Sequence, residues 1–129
     1  MGSRSDELVL KIGSEILTDK EYADDRWQGI ALVGKVTGGT KSWSGYVYFA
    51  DGGFEARMPA TMDALRMIGA LHGAMKEEGK GAWHQCLIHI TRPDLRIRIQ
   101  FEYDDPKRWS PKKLSRDMSE YADSLKPES

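Results

Sequence analysis

The stretch Trp83-His84-Gln85-Cys86-Leu87-Ile88-His89-Ile90-Thr91-Arg92-Pro93-Asp94-Leu95-Arg96-Ile97-Arg98-Ile99-Gln100-Phe101-Glu102-Tyr103-Asp104-Asp105 decides the fold class. Two runs rich in β-branched and aromatic residues flank a turn centred on Pro93-Asp94, which is the pattern of a β-hairpin. In the second run Leu95, Ile97, Ile99, Phe101 and Tyr103 fall on one side, and Arg96, Arg98, Gln100 and Glu102 on the other. Successive strand side chains point to opposite faces, so this period of two predicts one buried side and one solvent-facing side.

Upstream of the hairpin, Met62, Leu65, Ile68, Leu71, His72 and Met75 recur at helical spacing, with Pro59 placed for a first turn and Gly79 for a left-handed stop. Before that helix, residues 28–37 and 42–50 read as strands about a Gly38-Gly39 turn, and Asp51-Gly52-Gly53 leads into a short run over 54–58. In the middle strand Trp43, Val47 and Phe49 share a face with Gly45, while Ser44, Tyr46 and Tyr48 share the other. At the N-terminal end Ser5 is placed to cap a helix over 6–17, with Leu8, Val9, Ile12 and Ile16 on its apolar side. Residues 18–26 lack periodicity and read as a loop with local negative charge.

Downstream, Ser110-Pro111 is a hydroxyl cap followed by proline at the first helical position. Leu114, Met118, Tyr121 and Leu125 supply that helix's stripe, and Pro127 stops it. Short turns between neighbouring strands favour antiparallel pairing, because parallel pairs need long crossovers. The expectation is an α+β fold in one domain over residues 1–129: an antiparallel five-stranded sheet with helices packed mainly on one face, in the order α-β-β-β-α-β-β-α.

Composition narrows the function classes. The 129 residues are 40% hydrophobic and 30% charged, enough to build a core without covalent staples. A formal net charge of −1 gives no general electrostatic case for a nucleic-acid or membrane-surface binder. Cys86 is the single cysteine, which excludes an internal disulfide and fits a reducing compartment; the longest apolar runs, such as Ile30-Ala31-Leu32-Val33, are too short to span a bilayer. The expected location is the cytoplasm.

Chemistry-bearing residues do not converge in the sequence pattern. His84 and Cys86 share one side of their strand and His89 takes the other, so the three form no local metal or nucleophile cluster, and Cys86 reads as a small buried residue. His72 lies at the edge of an apolar helical stripe and reads as structural. Asp104 and Asp105 precede Pro106 and suit turn formation, although acids after a strand can also serve catalysis or a cation. The glycine pairs match neither a Walker loop nor a dinucleotide fingerprint, so no cofactor is indicated. Asp104, Asp105, His72 or His89 in an assembled pocket would make a small enzyme or ligand-binding domain, and Arg92, Arg96 and Arg98 with nearby aromatics would make a nucleic-acid binder. The arginines alternate with apolar residues as on any solvated strand, and Glu102 and Asp104 follow on that side, which favours a solvated face over nucleic-acid binding.

A protein-binding face is the reading that remains. Tyr46, Tyr48, Trp109, Arg96 and Arg98 belong to residue types enriched as interface anchors. Asp19, Asp24 and Asp25 in the first loop, and Asp104 and Asp105 after the hairpin, are placed to meet a basic partner.

The run Tyr46-Val47-Tyr48-Phe49, a helix, a strand opening at Trp83, and then Ile99-Gln100-Phe101-Glu102-Tyr103-Asp104-Asp105-Pro106 before a helix resembles the YezG-like family of bacterial immunity proteins. The likeness covers roughly residues 40–110, with Phe-Glu-Tyr-Asp-Asp its most specific part. Such proteins are small inhibitors encoded beside polymorphic or contact-delivered toxins. The resemblance implies a non-enzymatic antitoxin that binds the C-terminal domain of a cognate toxin, often a nuclease, with no catalytic residues, no cofactor, no direct nucleic-acid contact and no membrane association.

Overall fold

A computed structural model describes residues 3–24, 26–37, 39–110 and 119–127. Its strands are β1 (Trp27–Thr37), β2 (Thr40–Phe49), β3 (Phe54–Ala56), β4 (Gln85–Thr91) and β5 (Arg96–Glu102), and its α-helices α1 (Arg4–Thr18), α2 (Asp63–Glu77) and α3 (Ser119–Leu125). All pairings are antiparallel, in the spatial order β3-β2-β1-β4-β5. The chain is therefore the expected α+β arrangement in the expected order. No described helix is long and apolar enough to cross a membrane.

Burial follows from alternation. Ile30 and Leu32 of β1, Val47 of β2, and Cys86, Ile88 and Ile90 of β4 face α1 and α2 in one core, with Ile97, Ile99 and Phe101 of β5 packed against it. α1 contributes Ile12 and Ile16, and α2 contributes Ile68, Leu71 and Met75. The odd-numbered residues Ala31, Val33 and Leu87, with Tyr46 and Tyr48 of β2, form a second core on the opposite side beneath Trp109, Ala122 and Leu125. Two helices thus cover one face and α3 part of the other. β1 lies in the middle, and Gly29 through Gly34 are all buried.

Several boundaries differ from the sequence expectation for physical reasons. The cap of α1 is Ser3, not Ser5: the Ser3 side chain accepts from the Asp6 amide and the Asp6 carboxylate accepts from the Ser3 amide, a reciprocal capping box. Ser5 is buried inside the helix, where its Oγ donates to Glu78 Oε1 at 2.8 Å. Pro59 lies before α2 and outside its first turn, because the amides of Ala60 and Thr61 are held by Asp19. Gly79, at φ +76°, takes the left-handed position after α2 that the sequence assigns to it. The loop over 18–26 contains a short 3-10 turn, Lys20–Tyr22. Leu95 and Tyr103 leave the inward row: Leu95 adopts φ +55° in the turn and is 43% exposed, and Tyr103 lies beyond the end of β5 at 40%. The expected helix start at Ser110-Pro111, with Leu114 and Met118, falls largely outside the described residues.

Gly45 is required by close approach. A Cβ there would stand 2.6 Å from the Ala31 carbonyl oxygen and 2.9 Å from Leu32 Cδ1, and a backbone oxygen in the central strand cannot swing aside. Gly45→Ala should destabilise the fold by about 1–3 kcal/mol, as overpacking does. The check is the midpoint of urea unfolding, and an unchanged midpoint would show that β2 shifts without cost.

Candidate functional site

The described residues cover the outer face of the sheet only in part. α3 and the segment before residue 111 lie over β1 and β2, and they are fastened by side chains rising from the strands. Tyr48 donates its hydroxyl to the Ala122 carbonyl at 2.5 Å. His89 Nε2 meets the Leu125 carbonyl at 2.6 Å; a carbonyl only accepts, so this ring nitrogen carries the proton. The last four carbonyls of a helix lack partners within it, so these bonds satisfy two of the orphan groups of α3. Gln85, buried in β4, fastens the preceding segment: its Oε1 accepts from the Trp109 amide at 2.7 Å and its Nε2 donates to Ser110 Oγ at 2.9 Å. Tyr121 completes the seal by donating to the Trp109 carbonyl.

Beyond this cover, β4 and β5 open into a groove of about 660 Å³. Its floor is a two-stranded register in which Leu87 faces Gln100, His89 faces Arg98 and Thr91 faces Arg96. Its far wall comes from Arg108 and Trp109 and from Lys126 and Pro127 after α3. Arg92 and Asp94 close one end. Among the described residues the lining thus carries Arg92, Arg96, Arg98, Arg108 and Lys126 against the carboxylate of Asp94.

These cations are not equally available. Arg92 is committed to structure, with its guanidinium 3.8 Å from the centroid of the Trp27 ring and Nη2 donating to the Asp24 carbonyl. Arg108 pairs with Glu102 at 2.9 Å and lies over the Trp109 ring. Arg96 has only a loose contact with Asp94 at 4.0 Å, with 61% of its side chain exposed. Arg98 and Lys126 are exposed and have no carboxylate within ion-pair distance among the described residues. Desolvation lowers the His89 pKa, the Leu125 carbonyl raises it, and Arg98 lowers it further; the net shift is downward, which favours neutral imidazole at neutral pH.

The other candidate residues are located as follows. Tyr46, Tyr48 and Trp109 are not exposed anchors: they are 7%, 3% and 7% accessible, with Tyr46 packed edge-on against Phe54 and Tyr121. Tyr46 and Tyr48 are buried because the C-terminal segment lies on the very face that alternation assigns to them, and Trp109 is buried as part of that cover. Asp19 is buried too, as the acceptor for the amides of Glu21, Ala60 and Thr61. Asp24 forms ion pairs with Arg57 and Arg26. Asp25 lies outside the described residues. Asp104 and Asp105 are exposed in a turn where both their amides donate to Glu102 and Asp105 accepts from the Lys107 amide.

Among the described residues the groove that holds His89 is not lined by His72, Asp104 or Asp105. His72 packs edge-on against Trp83 on the α2 side, His89 opens on the outer face, and the sheet separates them. Cys86 is fully buried, and desolvation pushes its thiol up to about 12, which keeps it protonated and unreactive. Among the described residues no group of three or more His, Cys, Asp or Glu side chains is arranged to hold a metal ion.

No family model or curated protein sequence matches the chain. Sequence reasoning identified Arg96 and Arg98 on the floor of the groove but missed Lys126 and Arg108, which arrive from segments remote in the chain. It also missed Gln85. Gln85 shares a face with Leu87 and His89, opposite the Cys86, Ile88 and Ile90 row, and nothing in the sequence marks that face as covered at this position.

Proposed function

We propose that this chain is an immunity protein that binds the C-terminal domain of a cognate bacterial toxin in the cytoplasm and neutralises it by masking the active site or substrate path. The observation that carries this reading is the open outer face of β4 and β5, where Arg96, Arg98 and Gln100 are exposed on a scaffold whose candidate catalytic side chains are dispersed. Arginines on a rigid sheet make good interface anchors, because the guanidinium fork forms several bonds from one preorganised plane. The likeness to YezG-like proteins supplies the class of partner, and a nuclease is the toxin chemistry it favours.

Co-expression with the product of the neighbouring open reading frame tests the reading. That product should arrest growth alone, and this chain should restore growth and co-purify with it. A neighbouring product that is harmless, or one whose toxicity is unchanged by this chain, overturns the proposal.

A further inference from the structure

We infer that the groove between β5 and the C-terminal segment is a docking site for an extended acidic segment of a partner protein, with Arg98 and Lys126 as its principal charge contacts. The inference rests on the protein-binding reading above and adds the chemistry of what is bound. Among the described residues five cations and one carboxylate line the groove, in a chain whose formal net charge is −1, so the described lining is strongly positive. Of the lining cations, Arg92, Arg98 and Lys126 have no carboxylate partner among the described residues; Arg92 is held by the Trp27 ring and the Asp24 carbonyl, which leaves Arg98 on the floor and Lys126 on the wall uncommitted, and Arg96 is held only loosely. Along β5, Arg96, Arg98 and Gln100 repeat every second residue, about 6.6 Å apart. An extended chain with Asp or Glu at alternate positions presents carboxylates at the same interval. Guanidinium binds carboxylate through two parallel hydrogen bonds, which fixes register as well as charge.

Single-stranded nucleic acid also carries regularly spaced anions, but its binding sites add aromatic faces on which bases stack. Among the described residues Trp109 is the one Trp, Tyr or Phe in the lining; it is 7% accessible, with Arg108 already over its ring. The groove therefore offers charge and hydrogen bonds without a stacking platform, and this favours the acidic peptide.

The test is fluorescence anisotropy with the full chain, using a labelled decaglutamate peptide and, separately, a labelled oligothymidylate of equal length. Decaglutamate should bind at low salt and weaken as ionic strength rises, since screening shortens the reach of these contacts. Arg98→Glu and Lys126→Glu should each weaken it by about tenfold, and Arg98→Ala by less, because charge reversal adds repulsion to the lost contact. Lys76→Glu makes the same change in net charge at an exposed position on α2 and should leave binding within about twofold, with circular dichroism showing every variant folded. Absence of peptide binding, or equal loss with Lys76→Glu, overturns the assignment. Tighter binding of the oligothymidylate with the same dependence on Arg98 overturns it in favour of nucleic acid.

Growth rescue separates this inference from the proposed function. If decaglutamate binds and the neighbouring product is not neutralised, the immunity reading falls and the groove assignment stands. If Arg98→Glu and Lys126→Glu neutralise the toxin undiminished and decaglutamate does not bind, the groove assignment alone falls.

Discussion

Trp27→Ala should lower the unfolding free energy by about 3–5 kcal/mol, the range for removing a fully packed large aromatic. That is a large share of the roughly 5–15 kcal/mol by which a domain is ordinarily stable. Trp27 is 0% exposed at the start of β1, opposite Phe49, and its indole Nε1 donates to the Tyr22 carbonyl at 3.2 Å. It also supports Arg92, whose guanidinium stacks on the ring and reaches back to the Asp24 carbonyl. Truncation would open a cavity, leave a carbonyl without its donor and release an arginine at the end of the groove. Trp27→Phe keeps an aromatic face for Arg92 and should cost markedly less. Guanidinium unfolding of the three proteins measures the difference, and a loss below about 1 kcal/mol for the alanine variant would mean that the neighbouring side chains collapse into the space.

Asp19→Ala should cost about 2–4 kcal/mol, because one carboxylate serves as the acceptor for three backbone amides and hydrogen bonds to charged groups exceed neutral ones. It caps the turn Lys20–Tyr22 through the Glu21 amide and fastens the approach to α2 through Ala60 and Thr61. Burial works to raise its pKa, but the amides of Ala60, Glu21 and Thr61 together outweigh it, and the folded value lies below the ordinary one. A depressed folded pKa means that the unfolded chain takes up the proton first on acidification. The contribution is therefore complete above the usual aspartate range and is lost as pH falls through it towards the lower folded value. Glu102 and Glu78 act in the same direction. Glu102 is held at about 2, first by the Asp104 amide and next by that of Asp105, and Glu78 at about 2, chiefly by the Ser5 hydroxyl. Asp19→Asn keeps an acceptor without the charge, so it should be destabilised less than Asp19→Ala at pH 7. Its deficit relative to the natural chain should shrink as pH falls from about 5 to about 3. Thermal melts across that range are the measurement, and a deficit that stays constant would detach Asp19 from the acid sensitivity.

The alternation in β2, β4 and β5 made the sheet legible, because a period of two assigns each side chain to a face whatever the neighbours are. What covers each face was not legible in the same way. Tyr46 and Tyr48 were placed together correctly, but their burial depends on Ala122 and Leu125, more than seventy residues later. Asp19 reads locally as one more acid in a charged loop, and two of its three amide partners, Ala60 and Thr61, lie some forty residues away. The same limit applies to the groove. Arg96 and Arg98 follow from the hairpin, whereas Arg108 and Lys126 are brought opposite by Gln85, His89 and Tyr48, whose bonds to the C-terminal segment no local periodicity reveals.

The register of β1 with β4 governs when the groove comes into being. Lys35 pairs with Gln85 and Gly29 with Thr91, so the central ladder joins parts of the chain separated by β2, β3 and α2. Contacts this remote must overcome loop-closure entropy before they contribute stability, and they slow folding relative to local hairpins. The groove floor rests on that late ladder, and its wall is fastened to residues the ladder positions. An excised hairpin peptide spanning residues 83–105 would therefore carry the arginines without the recognition surface. A partner that seats in the groove would select the fully assembled chain from its partly folded forms, and its binding would register directly as added resistance to unfolding.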